Sequence, residues 1–404
     1  MLLPLAVTSC KCKDEGKIIG KPDVKVENGM LTPEVLESFG QVGEATPSPD
    51  GKKVIFTLKY EDIKENKGNA EIYMIDIDGS NMTALTRTAA SEGNIRWFDD
   101  GNKIAFLRMD EETKAMQIFC INKDGGQEKR LTKVENGIEC FEISPDNKKI
   151  VYGSPIDAFD KDSTLFEGLP KTTGRVVDDL MYKHWDEWVT EIPHPFIGDF
   201  DGNAVTNVFD IMADEPYEAP MKPFGGVESF AWSPDSKTLV YVSRKKTGVE
   251  YARSTNSDLY AYDLATKETR NLTEGMMGYD TMPAFSPDGT RLAWLSMEHD
   301  GYESDKNRLF VLDMNSGEKT DLTSEWDYTI DQFAWAGDGQ SIWFIAAYQG
   351  TAPIFSIDPA TKAVTTVNDE FGDYSSLAPV GNDVVIATRH AIILHHLKGS
   401  SSCF

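Results

Sequence analysis

Between Asp178 and Glu191 the sequence Asp178-Asp-Leu-Met-Tyr-Lys-His-Trp-Asp-Glu-Trp-Val-Thr-Glu191 mixes carboxylates with large aromatic rings. Asp178, Asp179, Asp186, Glu187 and Glu191 alternate with Tyr182, Trp185 and Trp188, and His184 stands among them. A carboxylate beside an aromatic wall suits a small organic cation, which it holds by a charge-assisted hydrogen bond while the ring face adds a cation–π contact. In an extended strand, alternation places Asp186 and Glu187 on opposite faces, so one of the two meets a ligand. The same residues also fit an acidic hairpin that packs its tryptophans on a rim. A second segment, Arg244-Lys-Lys-Thr-Gly-Val-Glu-Tyr-Ala-Arg-Ser-Thr-Asn256, has the opposite character. Its Arg244 and Arg253, with Ser254 and Asn256, match a carbonyl oxygen, a carboxylate or an acidic neighbouring domain; a solvated basic loop is the plainer reading.

Other constellations are weaker. Cys10-Lys-Cys12 has no further Cys or His nearby, far short of a metal ligand set. His390, His395 and His396 lie in a terminal stretch with no acidic ligand beside them. No metal and no cofactor is expected. No Gly-x-Ser-x-Gly nucleophile motif occurs, and Gly399-Ser-Ser-Ser-Cys403 lacks the second glycine. The balance of 40 Lys and Arg against 66 Asp and Glu, a formal charge of −26, argues against nucleic acid, whose recognition needs a basic face. It equally disfavours an anionic membrane surface. No apolar run reaches the 18 residues of a membrane-spanning helix. Cys120 and Cys140 fall in apolar strand-like runs and read as small buried hydrophobes.

Repeats dictate the elements that must carry the two segments. A tight turn followed by an alternating apolar strand recurs at Ser48-Pro-Asp-Gly, Phe98-Asp-Asp-Gly, Ser144-Pro-Asp-Asn, Ser233-Pro-Asp-Ser, Ser286-Pro-Asp-Gly and Ala336-Gly-Asp-Gly, with a weaker copy at Pro379-Val-Gly-Asn-Asp. Proline presets φ, aspartate caps its own turn and glycine accepts positive φ. A second half-repeat follows, as in Glu71-Ile-Tyr-Met-Ile-Asp76 and Asp258-Leu-Tyr-Ala-Tyr-Asp263, and several copies end in Leu-Thr. Each unit therefore supplies four short strands, A to D, the composition of a propeller blade. The turn aspartates at 50, 100, 146, 235, 288 and 338, with a turn near 382, are 44 to 53 residues apart except for one gap of 89. That gap reads as an insertion between strands B and C of blade three, about 154–193, because Pro195-Phe-Ile-Gly-Asp-Phe-Asp-Gly matches a C strand and its turn. The expectation is an all-β chain: a seven-bladed β-propeller of four-stranded blades over 40–390, with strands A and B alone in the last blade. The uniform A–B turns occupy one face. The long B–C segments Tyr60–Asn69, Ser154–Pro193, Arg244–Asn256 and Met297–Lys306 occupy the other, which is therefore the expected functional face.

Met1-Leu-Leu-Pro-Leu-Ala-Val-Thr-Ser-Cys10 resembles the remnant of a bacterial lipoprotein signal, with Cys10 as the lipidated residue. Residues 11–39 read as a tether and entry segment, and 391–404 as an aberrant tail without a C–D pattern. A lipid anchor in the cell envelope, periplasmic or outer-membrane, follows from that reading.

Leu31-Thr-Pro-Glu-Val-Leu36, the Ser-Pro-Asp-Gly turns, Lys183-His-Trp-Asp-Glu-Trp188 and Ala252-Arg-Ser-Thr-Asn-Ser-Asp-Leu-Tyr260 together resemble the N-terminal propeller of family S9 serine peptidases, the prolyl oligopeptidase clan. The resemblance, spanning about 30–390, is greatest to its bacterial dipeptidyl-peptidase 5 and acylaminoacyl-peptidase-like branches. It implies a propeller that gates oligopeptide substrates toward a C-terminal α/β-hydrolase domain bearing a Ser-Asp-His triad, a domain and a triad not found in these residues. It further implies that the cation held by Asp186 or Glu187, with His184, Trp185 and Trp188 around it, is a substrate α-amine. Asp186 ranks ahead because it lies in the resembling motif. The competing expectation is a stand-alone TolB-like envelope propeller that acts as a binding scaffold, which has no need of the His184-Trp185-Asp186 insertion.

Overall fold

The computed structural model describes residues 17–157, 168, 169, 171–174, 176, 177, 179, 180, 183, 184, 186–367, 372–382 and 384–390. Cys10, Trp185 and the tail 391–404 lie outside them. The described residues form six four-stranded antiparallel sheets, each in the order A–B–C–D, and in blade three strands B and C bracket the insertion. The A strands are Gln41–Pro47, Glu92–Phe98, Cys140–Ile143, Phe230–Trp232, Asp280–Phe285 and Ile330–Trp335.

Local chemistry explains each A–B turn. In the Ser-Pro-Asp copies the serine hydroxyl donates to the aspartate two residues on, at 2.6 to 2.7 Å, and accepts the N–H that opens strand B. Gly51 and Gly289 take φ of 68° and 71°, which a side chain would resist. The fourth residue after each turn aspartate, Val54, Ile104, Ile150, Leu239, Leu292 or Ile342, is buried in strand B. Each such side chain contributes roughly 1.5–3 kcal/mol by leaving water.

Blades join through the A strands. Trp97, Trp232 and Trp335 each donate an indole N–H to a carbonyl of the preceding blade, Thr46 at 3.1 Å, Glu142 at 3.4 Å and Ala284 at 3.0 Å. Glu44 accepts the backbone N–H groups of Asn94 and Ile95, and Arg96 donates to Glu142 at 2.6 Å, so blades one to three also share a polar seam.

Seven blades were expected; the described residues form six. The weak seventh copy forms a two-stranded hairpin, Ala378–Val380 with Val384–Ile386, and a separate ribbon pairs Asp373–Tyr374 with Arg389–His390. The A–B turn signal is local and folds as a hairpin, but a blade also needs C and D partners, and none pairs with this hairpin among the described residues. The hairpin bridges the two end blades. Gly337 of blade six donates its N–H to Gly381 at 2.9 Å, and Ile386 packs on Val54, Phe56, Leu58 and Ile75 of blade one.

The B–C segments also differ in part from expectation. Tyr60–Asn69 is no irregular loop: strands Lys53–Asp62 and Lys67–Asp76 stay paired to Asp62↔Lys67, leaving a four-residue tip. In blade three, Lys149–Asp157 and Glu191–Phe200 pair continuously from Lys149↔Asp199 to Asp157↔Glu191, which narrows the inserted segment to 158–190.

Candidate functional site

The C strands begin, and the D strands end, on the face that carries the long loops. The Leu-Thr repeat closes the blades there. Leu85, Leu131, Leu272 and Leu322 each donate N–H to a C-strand carbonyl at 2.8 Å. The following Thr86, Thr132, Thr273 and Thr323 accept a C-strand N–H on the side-chain hydroxyl at 2.8 to 3.0 Å. Blade ends tied this way make a stiff floor from which the blade-three insertion and the loops 244–257 and 297–307 project.

Within the insertion, Lys183–His184 pairs with Glu187–Trp188, in register Lys183↔Trp188 and His184↔Glu187. Asp186 therefore lies outside the paired residues, in the connection, and does not alternate with Glu187 along a strand as expected. The pairing ends at His184↔Glu187, so Asp186 has no cross-strand partner among the described residues. Asp186 and Glu187 are exposed, and Trp188 is 44% exposed. His184 enters the hairpin through its backbone. The insertion approaches blade four at Asp179: a Cβ placed on Gly248 would lie 3.3 Å from its Oδ2, and Gly248 has φ 58°.

The blade-four loop contains one short helix, α1 (Gly248–Arg253), whose N-cap Thr247 makes no side-chain capping bond. Its inward anchor is Tyr251, whose hydroxyl bonds the buried Glu218 carboxylate on the linker between blades three and four. Ser243 adds a bond of 2.9 Å to the Glu218 carbonyl. Burial, reinforced by Glu218, pushes the Tyr251 phenol far above its ordinary range. The Arg244 guanidinium lies over the Tyr251 ring, 4.8 Å from its centroid. Lys245 is held by Glu215 at 2.6 Å and lies 4.4 Å over Tyr260. Arg244, Lys246 and Arg253, in contrast, have no carboxylate within 4 Å among the described residues, although the chain is strongly acidic. Arg253 is exposed.

The outer arm of this loop is held by blade five. Asp300 Oδ1 accepts from the Ser254 hydroxyl at 2.6 Å, from the Thr255 N–H at 2.9 Å and from the Asn256 N–H at 3.2 Å. The bond is returned by the Gly301 N–H, which donates to the Thr255 hydroxyl at 2.9 Å. Burial alone would raise the Asp300 carboxyl, but Ser254 and the two amides hold it below the usual carboxylate range. Next to it, His299 Nδ1 meets Asp305 at 2.8 Å. Beneath the loops Asp280 is fully buried, takes the Trp294 indole N–H at 3.1 Å, and is pushed up to about 7 by burial.

Of the residues read from sequence, Ser254 and Asn256 converge on Asp300, Arg244 stacks on Tyr251, and Arg253, Asp186, Glu187 and Trp188 reach solvent on the loop-bearing face. Sequence reading missed Glu218, Tyr251, Asp300 and Asp280. Asp300 lies within Met297–Lys306, a loop already assigned to this face, but no local pattern links it to a motif 44 residues earlier.

Comparison with known proteins adds three findings. A profile of the TolB beta propeller domain matches residues 20–160 and 221–401. Dipeptidyl-peptidase 5 of Porphyromonas gingivalis is 43% identical over 364 residues, covering 90% of this chain and 53% of that protein; the Porphyromonas endodontalis protein of the same name is 41% identical, covering 90% and 52%. The chain thus spans about half the length of the curated relatives it matches. Among solved structures, an acylaminoacyl peptidase in complex with Z-Gly-Gly-Phe-chloromethyl ketone superposes with TM-score 0.64 at 17% identity over 88% of this chain and 50% of its own. The β-propeller domain of the trilobed protease from Pyrococcus furiosus superposes with TM-score 0.58 at 16% identity, over 88% and 91%. These two establish likeness of fold.

Proposed function

We propose that this chain, which belongs to the TolB beta propeller domain family, is the substrate-gating propeller of a dipeptidyl-type serine peptidase of family S9. In this reading it works with a C-terminal α/β-hydrolase domain to release N-terminal dipeptides from oligopeptides. The observation that carries the reading is the 43% identity to a dipeptidyl-peptidase 5 across 90% of the chain. A stand-alone scaffold has less support, because the relatives that match 90% of the chain are covered over only about half their own length.

The division of labour follows from charge. A dipeptidyl enzyme must register the substrate α-ammonium at a fixed distance from the scissile bond. Asp186 or Glu187, exposed on the insertion hairpin with Trp188 beside them, supplies the carboxylate and the ring for that ammonium. Arg244 and Arg253, cations without ion-pair partners among the described residues, supply donors for peptide carbonyls. Ser254 and Asn256 hold that loop in place. A lipid on Cys10 would keep the assembly in the cell envelope, and mass spectrometry of the native N-terminal peptide checks that assignment.

The test joins the propeller to the hydrolase half of a dipeptidyl-peptidase 5. Dipeptidyl-coumarin turnover is expected from the joined protein and none from the 404 residues alone, which contain no Gly-x-Ser-x-Gly. A joined, folded protein without turnover refutes the reading. Asp186→Asn and Glu187→Gln then locate the anchor. Loss of the anchoring carboxylate removes an interaction of roughly 1.5–3 kcal/mol, about 10- to 150-fold in kcat/KM, on free-amine substrates and spares N-acetylated ones. Unchanged discrimination in both variants places the anchor elsewhere.

A further inference from the structure

The blade-four loop is poorly held by its own sequence. Its helix is six residues long, starts at a glycine with positive φ and lacks a side-chain cap. Two outside anchors replace local stability: Tyr251 on Glu218, and the outer arm on Asp300. The second is unusual in its economy, since one carboxylate oxygen accepts three donors from three consecutive residues while the adjacent Gly301 N–H returns a bond to Thr255. Ser254 and Thr255 are buried by this arrangement, whereas Arg253 immediately before them stays exposed. The Ser-Thr-Asn run is therefore engaged with the neighbouring blade rather than offered to solvent.

We propose that Asp300 is a positioning residue of the substrate site: it latches loop 244–257 of blade four to loop 297–307 of blade five and so fixes where Arg253 stands on the loop-bearing face. The inference rests on the peptidase reading for its substrate, but not for the latch itself. Asp300 touches no substrate in this scheme. Removing it frees the arm that carries Arg253 while leaving the blade sheets, their Leu-Thr closures and the Tyr251 anchor intact. The rim then samples open conformations, and binding weakens by the fraction of molecules in which the loop is out of place.

The latch is tested on this chain by limited trypsin digestion with mass-spectrometric site assignment. Arg253–Ser254 lies in the latched arm, and Lys64–Glu65 at the blade-one hairpin tip serves as a reference site. Asp300→Ala is expected to speed cleavage after Arg253 about tenfold or more, as loss of a charge-assisted cluster does, with the Lys64 rate and the melting temperature unchanged. Asp300→Asn, which keeps one acceptor oxygen, should restore most of the protection, and Thr255→Val should give a smaller increase. Equal cleavage in wild type and Asp300→Ala overturns the latch. Positioning is tested in the propeller joined to its hydrolase half: KM for dipeptidyl substrates rises about five- to tenfold with kcat within twofold, and Asp300→Asn recovers it. An active parent whose Asp300→Ala variant has a loosened loop and an unchanged KM overturns the positioning role. A parent without turnover overturns the peptidase reading, and the substrate role of Asp300 with it, while the digestion still decides the latch.

Discussion

Replacing Glu92 by Gln probes a proton that burial holds at the seam of blades one and two. Glu92 is 3% exposed at the start of the blade-two A strand, and Glu71 is buried nearby on blade one. The Thr86 hydroxyl donates to Glu92 Oε2 at 3.0 Å. The Thr88 hydroxyl lies 2.7 Å from the Ala90 carbonyl and 2.9 Å from Glu92 Oε1. The single hydroxyl proton is divided between these two acceptors, so Thr88 gives the Glu92 carboxylate only partial compensation for its burial. Burial first, and the Glu71 charge second, push Glu92 up to about 8, against which the Thr88 and Thr86 hydroxyls and then Arg108 at 3.6 Å are weaker pulls. The folded chain thus keeps this proton up to about pH 8, whereas an unfolded glutamic acid releases it near 4.5. Between those values the native state binds more protons, so stability falls as pH rises, by about 1.4 kcal/mol per pH unit at most, and is flat beyond. For a propeller of this size that is about 2 °C of melting temperature per unit. Glutamine reproduces the neutral acid: its carbonyl accepts from Thr86 and its amide donates to Thr88. Glu92→Gln should match wild type at pH 5 and melt several degrees higher at pH 8 to 9 in differential scanning calorimetry. A variant that melts lower than wild type at every pH would show that Glu92 is an anion paired with Arg108, and the proton assignment would fall.

Two further outcomes follow from the repeats. Thr273→Val removes a fully buried hydroxyl that accepts the Leu259 N–H at 3.0 Å and donates to Asp258 at 3.1 Å, so denaturant titration should show a loss of about 1–3 kcal/mol, whereas a change under 0.5 kcal/mol would deny the Leu-Thr closure its role. Trp335→Phe leaves the Ala284 carbonyl without its donor at 3.0 Å and removes the larger ring face under Arg291 at 4.8 Å; a loss of about 1–2 kcal/mol is expected from the same measurement, and no loss would mean that the blade five to six junction does not depend on the indole N–H.

The sequence by itself determined the blade plan, because that plan is written in short-range chemistry. A serine, a proline, an aspartate and a positive-φ residue close the A–B turn within five residues, and an apolar residue at a constant spacing after the aspartate must go inside. It also marked the loop-bearing face and the two segments on it. Its account failed where pairing is non-local. The hairpin at 378–386 follows a weaker copy of the turn pattern, and that no C and D partners pair with it among the described residues can be seen in the folded chain alone. Placing Asp186 on a strand failed for a related reason: its place in the connection depends on which residues of the insertion pair with each other. The Asp300 latch joins residues 44 to 46 positions apart on different blades, and no periodicity foretells that contact. The Glu92 proton depends on burial between two sheets, a property of the packed seam rather than of a glutamate in a chain. Tertiary structure thus decided how many blades close, which loops hold one another and which carboxyl groups are charged, because each is set by groups that the backbone brings together from far apart.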